Sequence, residues 1–95
     1  MHIITKKRIV DAAQKYPECA TALMSWYRIV EKNEFVGFAE LKKVFNSVDK
    51  VGDLCVFNIG GNKLRLIASI HFNRQKAYVR YVLSHKEYDK NVWRK

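Results

Sequence analysis

A chain of 95 residues, 48% of them hydrophobic, holds enough apolar matter for one small core and little more, which predicts a single domain over 1–95. Its 18 Lys and Arg against 9 Asp and Glu leave a net charge of +9, so polyanions, nucleic acid above all, are the first partners to consider. Cys19 and Cys55 stand far apart with no Cys-x-x-Cys and no histidine at ligand spacing, so neither a zinc site nor a disulfide framework is indicated, and no metal or cofactor is expected.

The chain opens on His2 to Thr5, long enough for a short strand that adds to the edge of a later sheet. Thr5 is placed to cap a helix from Lys6, in which Ile9, Ala12 or Ala13, and Tyr16 recur at helical spacing. Pro17 suits the first turn of a second helix over 17–32, whose apolar stripe is Leu23, Trp26 or Tyr27, and Val30. A loop at 33–37 leads to a short third helix over 38–45, and the segment 46–53 is rich in turn residues.

Three strands follow. Leu54 to Ile59 joins the next run through Gly60 and Gly61, a tight-hairpin signal that pairs Ile59 with Asn62. Residues 62–84 then alternate apolar and polar on either side of Asn73, Arg74, Gln75 and Lys76. A two-residue turn at Arg74 and Gln75 sets Arg65 opposite Ser84, Ser69 opposite Arg80 and His71 opposite Tyr78. One face of the sheet then carries Leu64, Leu66, Ala68, Ile70, Phe72, Ala77, Val79, Tyr81 and Leu83, and the helices cover it. The other face carries Lys63, Arg65, Ile67, Ser69, His71, Tyr78, Arg80, Val82 and Ser84.

The expected architecture is therefore α+β: a short N-terminal strand, two helices with a short third, then a three-stranded antiparallel sheet ending in a basic segment. Charge placement agrees, since residues 1–50 hold 9 basic and 6 acidic side chains while 51–95 hold 9 and 3. His85, Lys86, Tyr88 and Asp89 follow the last strand beside Arg65. If they form a helical turn, His85, Tyr88 and Asp89 share one side, and Lys86 and Lys90 another.

Such a set suits gripping and cutting a phosphodiester; where the strand is RNA, a metal-free route is attack of the ribose 2'-hydroxyl on the adjacent phosphorus. Arg65 is the candidate phosphate clamp, because a guanidinium donates in a fork and keeps its charge. His85 is the candidate proton donor, since both its protonation states occur near neutral pH. Lys86 is a candidate electrostatic stabiliser, and Tyr88 a base-stacking or 2'-hydroxyl-binding group. Arg80, Lys63, Lys90 and Asp89 are candidate RNA contacts, with Asp89 also able to orient His85 or pair with a lysine. His71 and Tyr78 read as surface packing. The competing reading is a basic RNA- or ribosome-binding module with no catalysis, which shares salt-sensitive binding but leaves transcripts intact.

The fragments Val-Phe-Asn-Ile-Gly-Gly-Asn-Lys-Leu-Arg at 56–65 and Ser-His-Lys-Glu-Tyr-Asp at 84–89, with the opening Met-His-Ile-Ile-Thr-Lys, resemble the HigB branch of the RelE-type toxins. Ser84 departs from that branch's pattern, which has threonine there. The resemblance implies a toxin of a type II toxin-antitoxin pair, an endoribonuclease that cuts messenger RNA on the translating ribosome in the 30S A site. It also implies a HigA-type helix-turn-helix antitoxin. No stretch approaches the length of a membrane span or a secretory signal, so no membrane partner and a cytoplasmic location are expected.

Overall fold

The alternating runs of the C-terminal half do build the sheet, and the two N-terminal helices lie across one side of it. A computed structural model describes residues 1–61, 63–90 and 93. In chain order the elements are β1 (His2–Ile3), α1 (Lys6–Lys15), a 3-10 turn (Pro17–Cys19), α2 (Ala20–Lys32), α3 (Phe38–Val44), β2 (Asp49–Val51), β3 (Leu54–Ile59) and β4 (Leu64–His71). A second 3-10 turn (Phe72–Arg74), β5 (Lys76–Ser84) and α4 (His85–Asp89) complete it. The five strands lie in the order β1-β5-β4-β3-β2, antiparallel except where β1 runs parallel to β5.

The apolar stripes of the helices meet the inward side chains of the strands. Ile9 and Ala12 of α1 and Leu23, Trp26 and Val30 of α2 are buried together with Cys55, Phe57, Ile59, Leu64, Leu66, Ala68, Ala77 and Val79. Phe57 is the hub: the rings of Trp26 and Phe45 each meet it edge-on at 5.2 Å between centroids. Full burial of one such aliphatic or aromatic side chain contributes about 1.5–3 kcal/mol, so this single core carries most of the fold. Both cysteines are free and buried, and burial pushes the Cys55 thiol up despite the nearby Lys50. Among the described residues no helix is long and apolar enough to cross a membrane.

Four local expectations are corrected. Thr5 does not cap α1; its hydroxyl instead donates to the carbonyl of Val79 at 3.0 Å and accepts from the Val79 amide at 2.6 Å, which ties the helix start to β5. The helix expected from Pro17 begins as a 3-10 turn, with the α-helix proper starting at Ala20. The turn-rich segment hides the edge strand β2, whose Asp49 and Val51 pair with Val56 and Leu54. Ile59 pairs with Leu64; its expected partner, Asn62, lies outside the described residues. That two-residue shift preserves parity, so Cys55, Phe57 and Ile59 still share the core face.

The register of β4 against β5 is the larger correction. The turn is not the two residues Arg74 and Gln75: Phe72–Arg74 form a 3-10 turn and only Gln75 takes a positive φ, 52°. A two-residue turn of the favoured kind needs positive φ at both central positions, which Arg74 does not adopt. Gln75 is held there by its own side chain, which donates to the carbonyls of Phe35 and Phe72 at 2.7 Å. The ladder then pairs His71 with Lys76, Ser69 with Tyr78 and Arg65 with Leu83. A bulge between Ile67 and Ala68 leaves Arg80 without an opposite number.

That extra residue turns over everything after it. Val82, expected outward, packs on the helix-side core, whereas Leu83 joins a second cluster on the other face with Val56, Ile67 and Trp93. Tyr81, expected inside, lies opposite Ile67 and is 41% exposed. The face away from the helices is thus part apolar, part basic.

Candidate active site

The site is assembled where β4 and β5 finish and α4 begins. β4 presents Arg65 on the face away from the helices, opposite Leu83 of β5. Ser84 ends β5 and starts α4 through a reciprocal cap. Its hydroxyl accepts from the Glu87 amide at 3.2 Å while the Glu87 carboxylate accepts from the Ser84 amide at 3.0 Å. The Tyr16 hydroxyl donates to the same carboxylate at 3.2 Å, tying α4 to the end of α1. These bonds, the Ser84 amide first, hold the Glu87 carboxyl below its ordinary range, with burial opposing and Lys15 assisting. The His85 amide donates to the carbonyl of Lys63 at 3.3 Å, which fixes the first residue of α4 against the loop before β4.

So held, His85 meets two partners. The Arg65 guanidinium approaches Nδ1 at 3.2 Å and the Asp89 carboxylate approaches Nε2 at 3.2 Å. A guanidinium only donates, so Nδ1 accepts and Nε2 carries the proton toward Asp89. Arg65 also donates to the carbonyl of Leu64 at 3.2 Å, and its charge lies 5.5 Å from the centre of the Tyr88 ring. Tyr88 in turn stacks on Trp93 with centroids 5.0 Å apart, and the Trp93 indole donates to the Tyr88 carbonyl at 3.0 Å. The chain from the buried Trp93 through Tyr88 to Arg65 sets the guanidinium where it faces His85.

The structure thus brings together four residues singled out from sequence: Arg65, His85, Tyr88 and Asp89. Lys63, Lys86 and Lys90 are exposed around them, Lys63 before β4, Lys86 in α4 and Lys90 at its end. Arg80 stands apart at the bulge, its guanidinium 6.0 Å from the Tyr78 ring. Among the described residues no three His, Cys, Asp or Glu side chains come together as metal ligands would. Ser84, Glu87, Tyr16 and Trp93 were not singled out. The serine and glutamate three apart are a cap signature that could have been read, whereas nothing local marks Tyr16 or Trp93.

An α+β domain whose sheet ends in a cationic His–Arg cluster falls in the class of RelE-like toxins. Residues 19–91 match the family described as HigB_toxin, RelE-like toxic component of a toxin-antitoxin system. The chain is 46% identical over 92 residues to the mRNA interferase toxin HigB of Escherichia coli (strain K12), covering 94% of this chain and 88% of that protein. It is 38% identical over 93 residues to the mRNA interferase HigB of Escherichia coli O6:H1, covering 95% and 90%. The chain belongs to the HigB toxin family.

Proposed function

We propose that this protein is the toxin of a type II toxin-antitoxin pair and an endoribonuclease that cleaves messenger RNA as it is translated, in the cytoplasm. Family membership and the mRNA interferase relatives support that reading. The observation that carries the chemistry is the contact of Arg65 with Nδ1 of His85, with Asp89 on Nε2. An incoming phosphate competes for the guanidinium, because a charged acceptor outbids a neutral imidazole nitrogen. Arg65 then clamps a non-bridging oxygen and Nδ1 is released beside the scissile bond. The 2'-hydroxyl gives its proton to solvent water as its oxygen attacks phosphorus, the freed Nδ1 having taken up a proton from solvent beforehand; the bond to the 5'-oxygen then breaks, and the imidazolium of His85 gives its Nδ1 proton to that leaving oxygen. Asp89 stabilises the imidazolium from the other side and acts through His85. Lys63, Lys86 and Lys90 offset phosphate charge, and Tyr88 keeps Arg65 aimed.

The ribosome is the proposed setting, since the site is open and the three lysines around it favour a large polyanion. The proposed protein partner is a HigA-type helix-turn-helix antitoxin. Inducing the protein in cells and mapping transcripts by primer extension tests the reading. New 5' ends within translated frames, with arrested growth relieved by the neighbouring antitoxin, are expected. Intact transcripts in cells that accumulate the folded protein would leave only the non-catalytic binding module.

A further inference from the structure

The bulge in β5 does more than correct a register. By inserting Arg80, it puts Tyr81 on the same face as Arg65, where an unbroken ladder would have turned it into the core. Next along that face, Tyr78 lies opposite Ser69, and its ring meets His71 edge-on at 5.1 Å. Ser69 and His71 share a hydrogen bond of 3.2 Å between Oγ and Nε2, which orients the imidazole, and Arg80 covers the Tyr78 ring. The β3 side of this face is filled by Trp93 against Val56 and Ile67, so the open lane runs along β5 and the adjoining edge of β4.

We propose that this lane is a second RNA subsite, which holds the unpaired bases of the substrate strand flanking the cleaved bond. The inference rests on the nuclease reading above and extends it. Tyr81 and the Tyr78–His71 pair offer π-faces for stacking, the way proteins grip single strands without reading sequence, and Arg80 supplies the backbone charge. From Arg65 to Ser69 and His71 the strand spans about 13–20 Å. That is the reach of roughly two to six nucleotides, from a strand stretched to about twice the stacked rise to one at the stacked rise of about 3.4 Å. The lane lies on the face that carries Arg65, so one strand passes from it into the clamp without crossing a helix.

The test is cleavage of a translated messenger by the full chain, with kcat and KM measured on substrates carrying single abasic nucleotides at successive positions from the cut. Tyr81→Ala and Tyr78→Ala are each expected to raise KM about tenfold, with Tyr81→Phe close to the unsubstituted protein. An abasic nucleotide roughly two to six positions from the cut, on one side only, is expected to weaken the unsubstituted protein similarly and to add nothing in Tyr81→Ala. An unchanged KM in folded Tyr81→Ala and Tyr78→Ala, or a loss indifferent to which base is missing, overturns the subsite and leaves the nuclease reading standing. Failure of the unsubstituted protein to cut at all removes both.

Discussion

His85 has both ring nitrogens engaged, by a cation on one side and an anion on the other, and this balance makes it the residue on which the proposed chemistry turns. Its neighbours are unequal. Asp89 is four residues on in the same helix and stays with His85, whereas Arg65 comes from another strand and has a better acceptor in prospect. Replacing His85 with Gln, or Arg65 with Ala, is expected to lower cleavage at least about 10²-fold with the fold intact, measured as single-turnover rates beside circular dichroism. Arg65→Lys keeps the charge and loses the fork, and an intermediate rate is expected. Equal rates in Arg65→Ala and the parent remove the clamp. Much of this was legible in the sequence, because the alternation around Arg65 and the helical spacing of His85 and Asp89 depend on local pattern. Trp93, which braces Tyr88, was not, since burial of an indole against Val56 and Ile67 follows from packing across distant strands.

At the scale of elements, the site depends on a helix of five residues, too short to persist by its own backbone bonds. The cap of Ser84 and Glu87 and the tie to Tyr16 do that work. Ser84→Ala should cost about 1 kcal/mol and reduce cleavage, while Ser84→Thr keeps the hydroxyl and should match the parent. Equal activity of the alanine variant would show that α4 is held by other means. Glu87 also imposes a pH dependence. Because its folded carboxyl titrates below the ordinary value, near 4.3, the cap's contribution is complete above that value and fades as pH falls through the lowered one. The thermal midpoint should therefore fall more steeply with acid in the parent than in Glu87→Gln; parallel curves between pH 6 and pH 3 would contradict this. The elements themselves were mostly legible, and the misreadings share a cause. β2 is three residues long inside turn chemistry, and the bulge at Arg80 leaves no mark on the alternation that precedes it.

Across the molecule, one hydrophobic core positions a polar site that adds little to stability. Leu66 is fully buried between the sheet and the helices, so Leu66→Ala should destabilise by about 2–5 kcal/mol in chemical denaturation, whereas His85→Gln should change it by less than about 1 kcal/mol. A large loss in His85→Gln would make the cluster structural. The surplus of +9 acts at this scale too, favouring capture of polyanions, which is as far as composition alone reached. What the molecule does with RNA once captured rests, in the mechanism proposed above, on Arg65 and His85. The most direct measurement is of the ends left on a translated messenger by purified protein in a reconstituted system with chelator present. The account predicts 5'-hydroxyl ends, open to direct phosphorylation by a kinase, with the parent protein and about 10²-fold fewer with His85→Gln. The same ends at the same rate from folded His85→Gln, or 5'-phosphate ends from the parent, would contradict it.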